Sequence, residues 1–297
     1  MAVTSLPVDG GLPAGVRLLT LPTTLTPPPL ILDRIDPEGH TILFGPGGAG
    51  KGCLVVSWIV RLTNQGKSVL VVDFEGHADE WARRVAGLGG DPDRVEYCSP
   101  MKPGWPGAYG PLWSDENRGL LRAAVDGRVD LVVIDSINDA SVGADISLAM
   151  TASNYAGAVQ YLGVPVVSLG HVAKSGESEY PFGSVYWHNQ ARTTWSLDGN
   201  RKLTHRKRNN YATLGSFNVE LDFRNDVLRG VVERAPVPGV AKQIALVIPT
   251  AQATATEVVA LVQEAASREG WPYRKADTIS RELRQGWRVV NGAWVAK

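Results

Sequence analysis

From His40 onward, short apolar runs alternate with longer stretches in which apolar residues recur every three or four positions. The runs are Thr41 to Phe44, Ser68 to Phe74, Arg94 to Cys98, Val129 to Asp135 and Val164 to Leu169. Most lack polar alternation, as strands do when both faces of a sheet are covered. Between them, Lys51 to Asn64, Ala78 to Leu88, Asp115 to Asp126 and Asp145 to Leu162 have helical length and spacing. This alternation predicts a doubly wound, mostly parallel α/β sheet, whose ligands lie beyond the carboxyl ends of the strands. After Gln190 the segments Thr193 to Leu197, Lys202 to Arg206 and Phe217 to Phe223, joined by polar turns such as Asp198 to Asn200, predict antiparallel strands added to one edge.

The flanks differ in character. Residues 1–29 carry Pro7, Pro13, Pro22, Pro27, Pro28 and Pro29, a density that blocks helix and central strand and leaves an extended or disordered arm. Residues 30–232 form the predicted core, and 233–252, with Pro236, Pro238 and Pro249, read as a linker. In residues 253–297, helices over Glu257 to Ser267 and Ala276 to Gln285 and a hairpin over Trp287 to Val295 resemble a small winged-helix unit.

A chain of 297 residues with 44% hydrophobic and 20% charged residues has ordinary globular composition. Its formal net charge is zero, so a nucleic-acid site has to be a local basic patch. Cys53 and Cys98 are too far apart for a short metal-ligand spacing and give no disulfide framework. No basic leader with an apolar run opens the sequence, and no apolar stretch has membrane-spanning length. The expectation is a protein of a reducing cytoplasm, with no membrane partner.

The most specific signal is Gly45-Pro46-Gly47-Gly48-Ala49-Gly50-Lys51, which matches GxxxxGK between a predicted strand and a predicted helix. Glycines let backbone N–H groups converge on phosphate oxygens, the helix N-terminus adds partial positive charge, and Lys51 reaches the β- and γ-phosphates. The segment predicts ATP binding, with Gly52 and Cys53 completing the turn into the helix. Gly52 departs from the pattern, because Ser or Thr at that place supplies a hydroxyl to Mg²⁺. A thiol is a poor ligand for so hard a cation, so Cys53 does not replace it, and water with a downstream carboxylate has to serve.

Four polar groups end or follow predicted strands. Asp73 and Glu75 follow the second, and Glu75 is the candidate general base for the attacking water, although a helix-capping carboxylate would read the same way. Asp135 ends Leu131-Val132-Val133-Ile134, the Walker B pattern, and is the candidate Mg²⁺ residue. His171 follows the fifth strand, where its ring can sense the γ-phosphate or simply hydrogen-bond within a loop.

Together these segments resemble the RecA-like ATPases, and within them the RepA-type replicative helicases and related phage and bacterial ATPases grouped as AAA domains. The resemblance spans residues 30–232 and rests on GPGGAGKG at 45–52, VVDFEGHADEWARRV at 71–85, LVVIDS at 131–136, LGHVAK at 169–174 and PFGSVYWHNQAR at 181–192. It implies that Glu75 is the catalytic base, that Asp135 serves the metal, and that His171 couples nucleotide state to a DNA-facing loop. It also implies a homo-oligomer, in the family a hexameric ring, in which one subunit's arginine reaches its neighbour's γ-phosphate. Arg192 and Arg208 both match such finger segments, and the sequence does not choose between them.

A motor on single-stranded DNA would present Lys174, Tyr180 and Phe182 to the strand, while Glu177 and Glu179 oppose phosphate. The basic cluster Arg201, Lys202 and His205 to Arg208 and the tail's Arg281, Arg284 and Arg288 are further candidates for contact. Three functions fit: a RepA-like replicative helicase of a bacterium, phage or plasmid working with other replication or recombination proteins; a recombinase-like filament ATPase; or a nucleotide-gated loader with little turnover.

Overall fold

The computed structural model describes residues 28–172, 180–209, 211–235, 240–247, 254–269, 271, 273–290 and 293–296. The five predicted strands form β1 (His40–Phe44), β2 (Val69–Asp73), β3 (Val95–Cys98), β4 (Leu131–Asp135) and β5 (Val166–Gly170). The crossover helices are α1 (Lys51–Thr63), α2 (Ala78–Gly87), α3 (Asp115–Val125) and α4 (Ala149–Leu162). Helix α4 starts later than the sequence predicts, because Asp145 instead accepts from the backbone and hydroxyl of Ser147 in a polar turn. A short helix α5 (Val185–Gln190), capped by Ser184, precedes β6 (Thr193–Leu197). Strands β7 (Lys202–Arg208), β8 (Ser216–Arg224) and β9 (Val227–Arg234) follow.

These strands build one nine-stranded sheet in the order β3-β2-β4-β5-β1-β6-β7-β8-β9. All pairs from β3 through β6 are parallel, and those from β6 to β9 are antiparallel. The predicted fold class, a doubly wound mostly parallel sheet with antiparallel edge strands, is thus the observed one. Period-two alternation splits the strands between two cores. Leu43, Val71 and Val133 face one cluster with Leu54, Trp58 and Trp81, while Ile42, Val72 and Ile134 face the other with Leu121, Tyr155 and Trp187.

Beyond the sheet, α6 (Val240–Val247) lies inside the segment read as a linker. With α7 (Ala255–Glu269) and α8 (Ala276–Gly286) it shares an apolar cluster containing Ile244, Val258, Val262, Ile279 and Leu283. Strands β10 (Trp287–Val290) and β11 (Ala293–Ala296) form the expected terminal hairpin. The arm at 1–27 and Lys174, Glu177 and Glu179 lie outside the described residues. Among the described residues, no helix is long and apolar enough to cross a membrane.

Candidate functional site

Strand β1 enters the Gly-rich loop at Gly45, where a side chain would collide with the Leu197 carbonyl of β6, its Cβ only 2.0 Å from that oxygen. The loop leaves through Gly50, whose φ of 97° is a left-handed geometry natural to glycine, directly into the N-terminus of α1. Pro46 and Ala49 complete this arch, Ala49 donating its N–H to the Pro46 carbonyl. Lys51 folds back over it, its Nζ donating to the carbonyls of Gly45 at 2.9 Å and Pro46 at 3.0 Å.

Beyond the loop opens a cleft of about 420 Å³, lined by Gly47, Gly48, Gly50, Lys51, Gly52 and Cys53 and, across from them, by Glu75, Asp135 and His171. That size is in the range of small-ligand sites. The three polar groups end neighbouring strands, with Asp73 and Asp135 in register across β2 and β4 and His171 immediately after β5. Burial, followed by the nearby charges of Glu75 and Asp73, pushes the Asp135 carboxyl up to about 7, against the opposing pull of Lys51 and Arg84. Burial, then Asp139 and Asp73, also raises Glu75. Burial followed by the Lys51 charge lowers His171, against the opposing pull of Asp139. Burial lowers Lys51 and raises the Cys53 thiol.

The two acids after β2 have different jobs. Buried Asp73 accepts from the backbone N–H groups of Glu75, Gly76 and His77 at 2.8, 2.9 and 2.6 Å and from the Tyr97 hydroxyl at 2.9 Å. Its oxygens are saturated and shape the turn, whereas the Glu75 carboxylate lines the cleft, with His77 Nδ1 3.8 Å from it. Ser136 Oγ donates to Asp139, a second acid near Glu75 that the linear pattern does not reveal.

Burial and the neighbouring carboxylates oppose ionisation of Asp135. Its folded-state pKa lies above the unfolded carboxylate value of about 3.9, so ionisation is penalised in the folded chain only. The penalty is absent below about pH 4, grows as pH rises and is complete above about pH 7. Asp135→Asn is therefore expected to stabilise the nucleotide-free protein by roughly 1–3 kcal/mol at pH 8, with the gain vanishing towards pH 4. Thermal unfolding across that range checks it; a variant less stable than wild type at pH 8 would refute the repulsion.

The cleft is also lined by residues that sequence reasoning missed. His77, Glu80, Trp81 and Arg84 line the cleft from α2 and the residue before it. Their spacing of three to four residues was the available signal. Arg201 arrives from the turn before β7 and Leu221 and Phe223 from β8, and Leu221 Cδ1 lies 2.8 Å from where a side chain on Gly50 would begin. No linear pattern links these residues to the loop.

Both candidate finger arginines lie at the opposite end of the sheet. Arg192 donates its backbone N–H to the His40 carbonyl at the start of β1, and its guanidinium pairs with Asp36 at 3.3 Å and Glu38 at 3.7 Å. Arg208 pairs in register with Thr193, donates to the Pro28 carbonyl and lies 4.9 Å from the Tyr211 ring. Seven residues of strand, about 23 Å, separate Arg208 from cleft-lining Arg201, so neither arginine reaches the cleft of its own chain.

The basic cluster read as one patch is therefore divided. Arg206 bonds to Ser196 Oγ, Lys207 Nζ donates to the carbonyls of His188, Asn189 and Ala191, and His205 is buried against Trp195 with ring centroids 4.1 Å apart. Tyr180 and Phe182 contact His188 and Trp187 edge-on.

The AAA domain family matches residues 16–177, more than half of the sequence. The chain belongs to that family. This AAA domain protein has a RecA-like fold, similar to a KaiC-like protein of Pyrococcus horikoshii at a TM-score of 0.54 and 18% identity, covering 70% of this chain and 94% of that one. Its similarity to the RadB recombinase has a TM-score of 0.46 at 18% identity, covering 66% and 91% of the two chains. No curated protein matches the AAA domain protein.

Proposed function

We propose that this protein hydrolyses ATP as an oligomeric motor acting on single-stranded DNA, in the manner of a RepA-like replicative helicase. One observation carries the hydrolytic reading: Lys51, Glu75 and Asp135 face one cleft beside the Gly-rich loop, close enough for Glu75 and Lys51 to shift Asp135 in opposite directions. In this reading, backbone N–H groups of the loop and Lys51 hold the phosphates. Asp135 would hold hydrated Mg²⁺, which neutralises charge on the phosphates when bound. Glu75 orients the attacking water and takes its proton, a task suited to a carboxyl raised above its ordinary value.

Arg192 or Arg208 of a neighbouring subunit completes the site, consistent with the distance of both from their own cleft. Head-to-tail contacts of that kind close into a ring, here proposed as a hexamer, or continue into a filament. His171, which lines the cleft, is proposed to couple it to the segment after β5, the proposed DNA-facing loop. Residues 253–297 are proposed as a small winged-helix-like module that docks DNA or a replication or recombination partner.

Steady-state hydrolysis with Mg²⁺, with and without single-stranded DNA, tests this reading. DNA is expected to stimulate turnover, and Lys51→Ala to lower it at least about 100-fold by removing the cation that follows the phosphates into the transition state. Gly52 favours a second reading, a nucleotide-gated loader, which slow turnover indifferent to DNA would support. Electron microscopy of the assembly separates a ring from a recombinase-like filament.

A further inference from the structure

Gly52 and Arg84 occupy one place. A Cβ built on Gly52 would lie 2.7 Å from Arg84 Nη1 and 3.7 Å from its Cζ, so the guanidinium fills the space that a residue with a side chain would need. Arg84 belongs to the last turn of α2, where Glu80 one turn earlier pairs with it and its side chain is only 25% exposed. Both residues line the cleft with Lys51 and Asp135, and the Arg84 charge is close enough to act on the Asp135 carboxyl. The position lacking the hydroxyl that ordinarily ligates Mg²⁺ is thus the position covered by a permanent cation.

We propose that Arg84 binds the ATP polyphosphate directly, in place of the metal contact that Gly52 cannot make, so that nucleotide binding depends little on Mg²⁺. This rests on the reading of the cleft as an ATP site. A guanidinium has five N–H donors, so Arg84 can keep Glu80 on one edge and offer another edge to phosphate. Its planar fork matches two phosphate oxygens at once. A serine at position 52 and Arg84 in its observed position exclude one another. The collision involves only the end of a flexible side chain, so Gly52→Ser is expected to fold and to displace the guanidinium.

Titration of the full chain with a fluorescent ATP analogue carrying a methylanthraniloyl group, in excess Mg²⁺ and separately in EDTA, tests the proposal. Wild type is expected to bind in EDTA within about threefold of its affinity in Mg²⁺, whereas Arg84→Ala loses about 10- to 100-fold in EDTA and less in Mg²⁺. Gly52→Ser, which keeps every charge, is expected to lose affinity in EDTA as well, and it reads the same contact should Arg84→Ala fail to fold. Unchanged EDTA affinity in either folded variant, or a wild-type loss beyond about 100-fold on removing Mg²⁺, overturns the role of Arg84. Absence of saturable binding to wild type in both conditions, or full binding by Lys51→Ala, instead overturns the ATP reading beneath it.

Discussion

Glu75→Gln is expected to lower ATP turnover by about 10²- to 10⁴-fold while leaving nucleotide affinity within a few fold of wild type. The amide keeps the size of the side chain and removes the proton acceptor. The turn that carries it should persist, because Asp73 rather than Glu75 holds the backbone N–H groups of residues 75 to 77. Losing the negative charge also relieves Asp135, so a modest gain in nucleotide affinity is compatible with the mechanism. Single-turnover hydrolysis paired with a binding titration separates the two quantities. Turnover near the wild-type rate would remove Glu75 from the role of base, and Asp139, the other acid beside it, would be the next group to test.

The second large effect concerns stability. Glu233 on β9 accepts from Arg34 Nε at 2.7 Å and from Trp58 Nε1 at 3.0 Å, with the Arg34 and Glu233 side chains only 9% and 10% exposed. Arg34 lies 4.0 Å from the centre of the Phe217 ring and 5.1 Å from that of Trp195, whose Nε1 donates to the Arg34 carbonyl. One ion pair therefore ties the segment before β1 to α1 and to the antiparallel strands. Glu233→Ala leaves a buried guanidinium without its counter-charge and is expected to cost about 3–5 kcal/mol. That corresponds to a fall of roughly 10 °C in the thermal midpoint of a domain this size. Glu233→Gln, which retains an acceptor for Trp58, should lose less. A change below about 1 kcal/mol for Glu233→Ala in denaturant unfolding would show that Arg34 is solvated instead.

The antiparallel strands matter to the cleft as well as to stability. They bring Arg201, Leu221 and Phe223 over the loop at one end of the sheet and carry Arg208 to the other. The same elements thus close the cleft at one end of the sheet and carry a cation to the other end, where the proposed oligomer would place a neighbour. The proposed oligomer assigns a use to both ends.

Elements whose chemistry is local were legible in the chain before folding. Continuous apolar runs with helical stretches between them dictate covered parallel strands, and the Gly-rich loop is legible because strand, glycines, Lys51 and helix are consecutive. Glu75, Asp135 and His171 could be gathered on paper because strands of a parallel sheet share one carboxyl edge. Strand β9 escaped because Gly230 interrupts its pattern and most of its side chains stay partly exposed at the sheet edge. Helix α6 escaped because prolines flank it and, among the described residues, its Ile244 packs into a cluster built by α7 and α8, distant in pattern from it. Packing between distant segments is what makes Asp73 saturate its oxygens within the turn, puts Arg84 in the space above Gly52, and leaves Arg192 and Arg208 out of reach of their own cleft. Those outcomes depend on contacts between segments that share no local pattern, and on which end of a strand a residue occupies once the strands are paired.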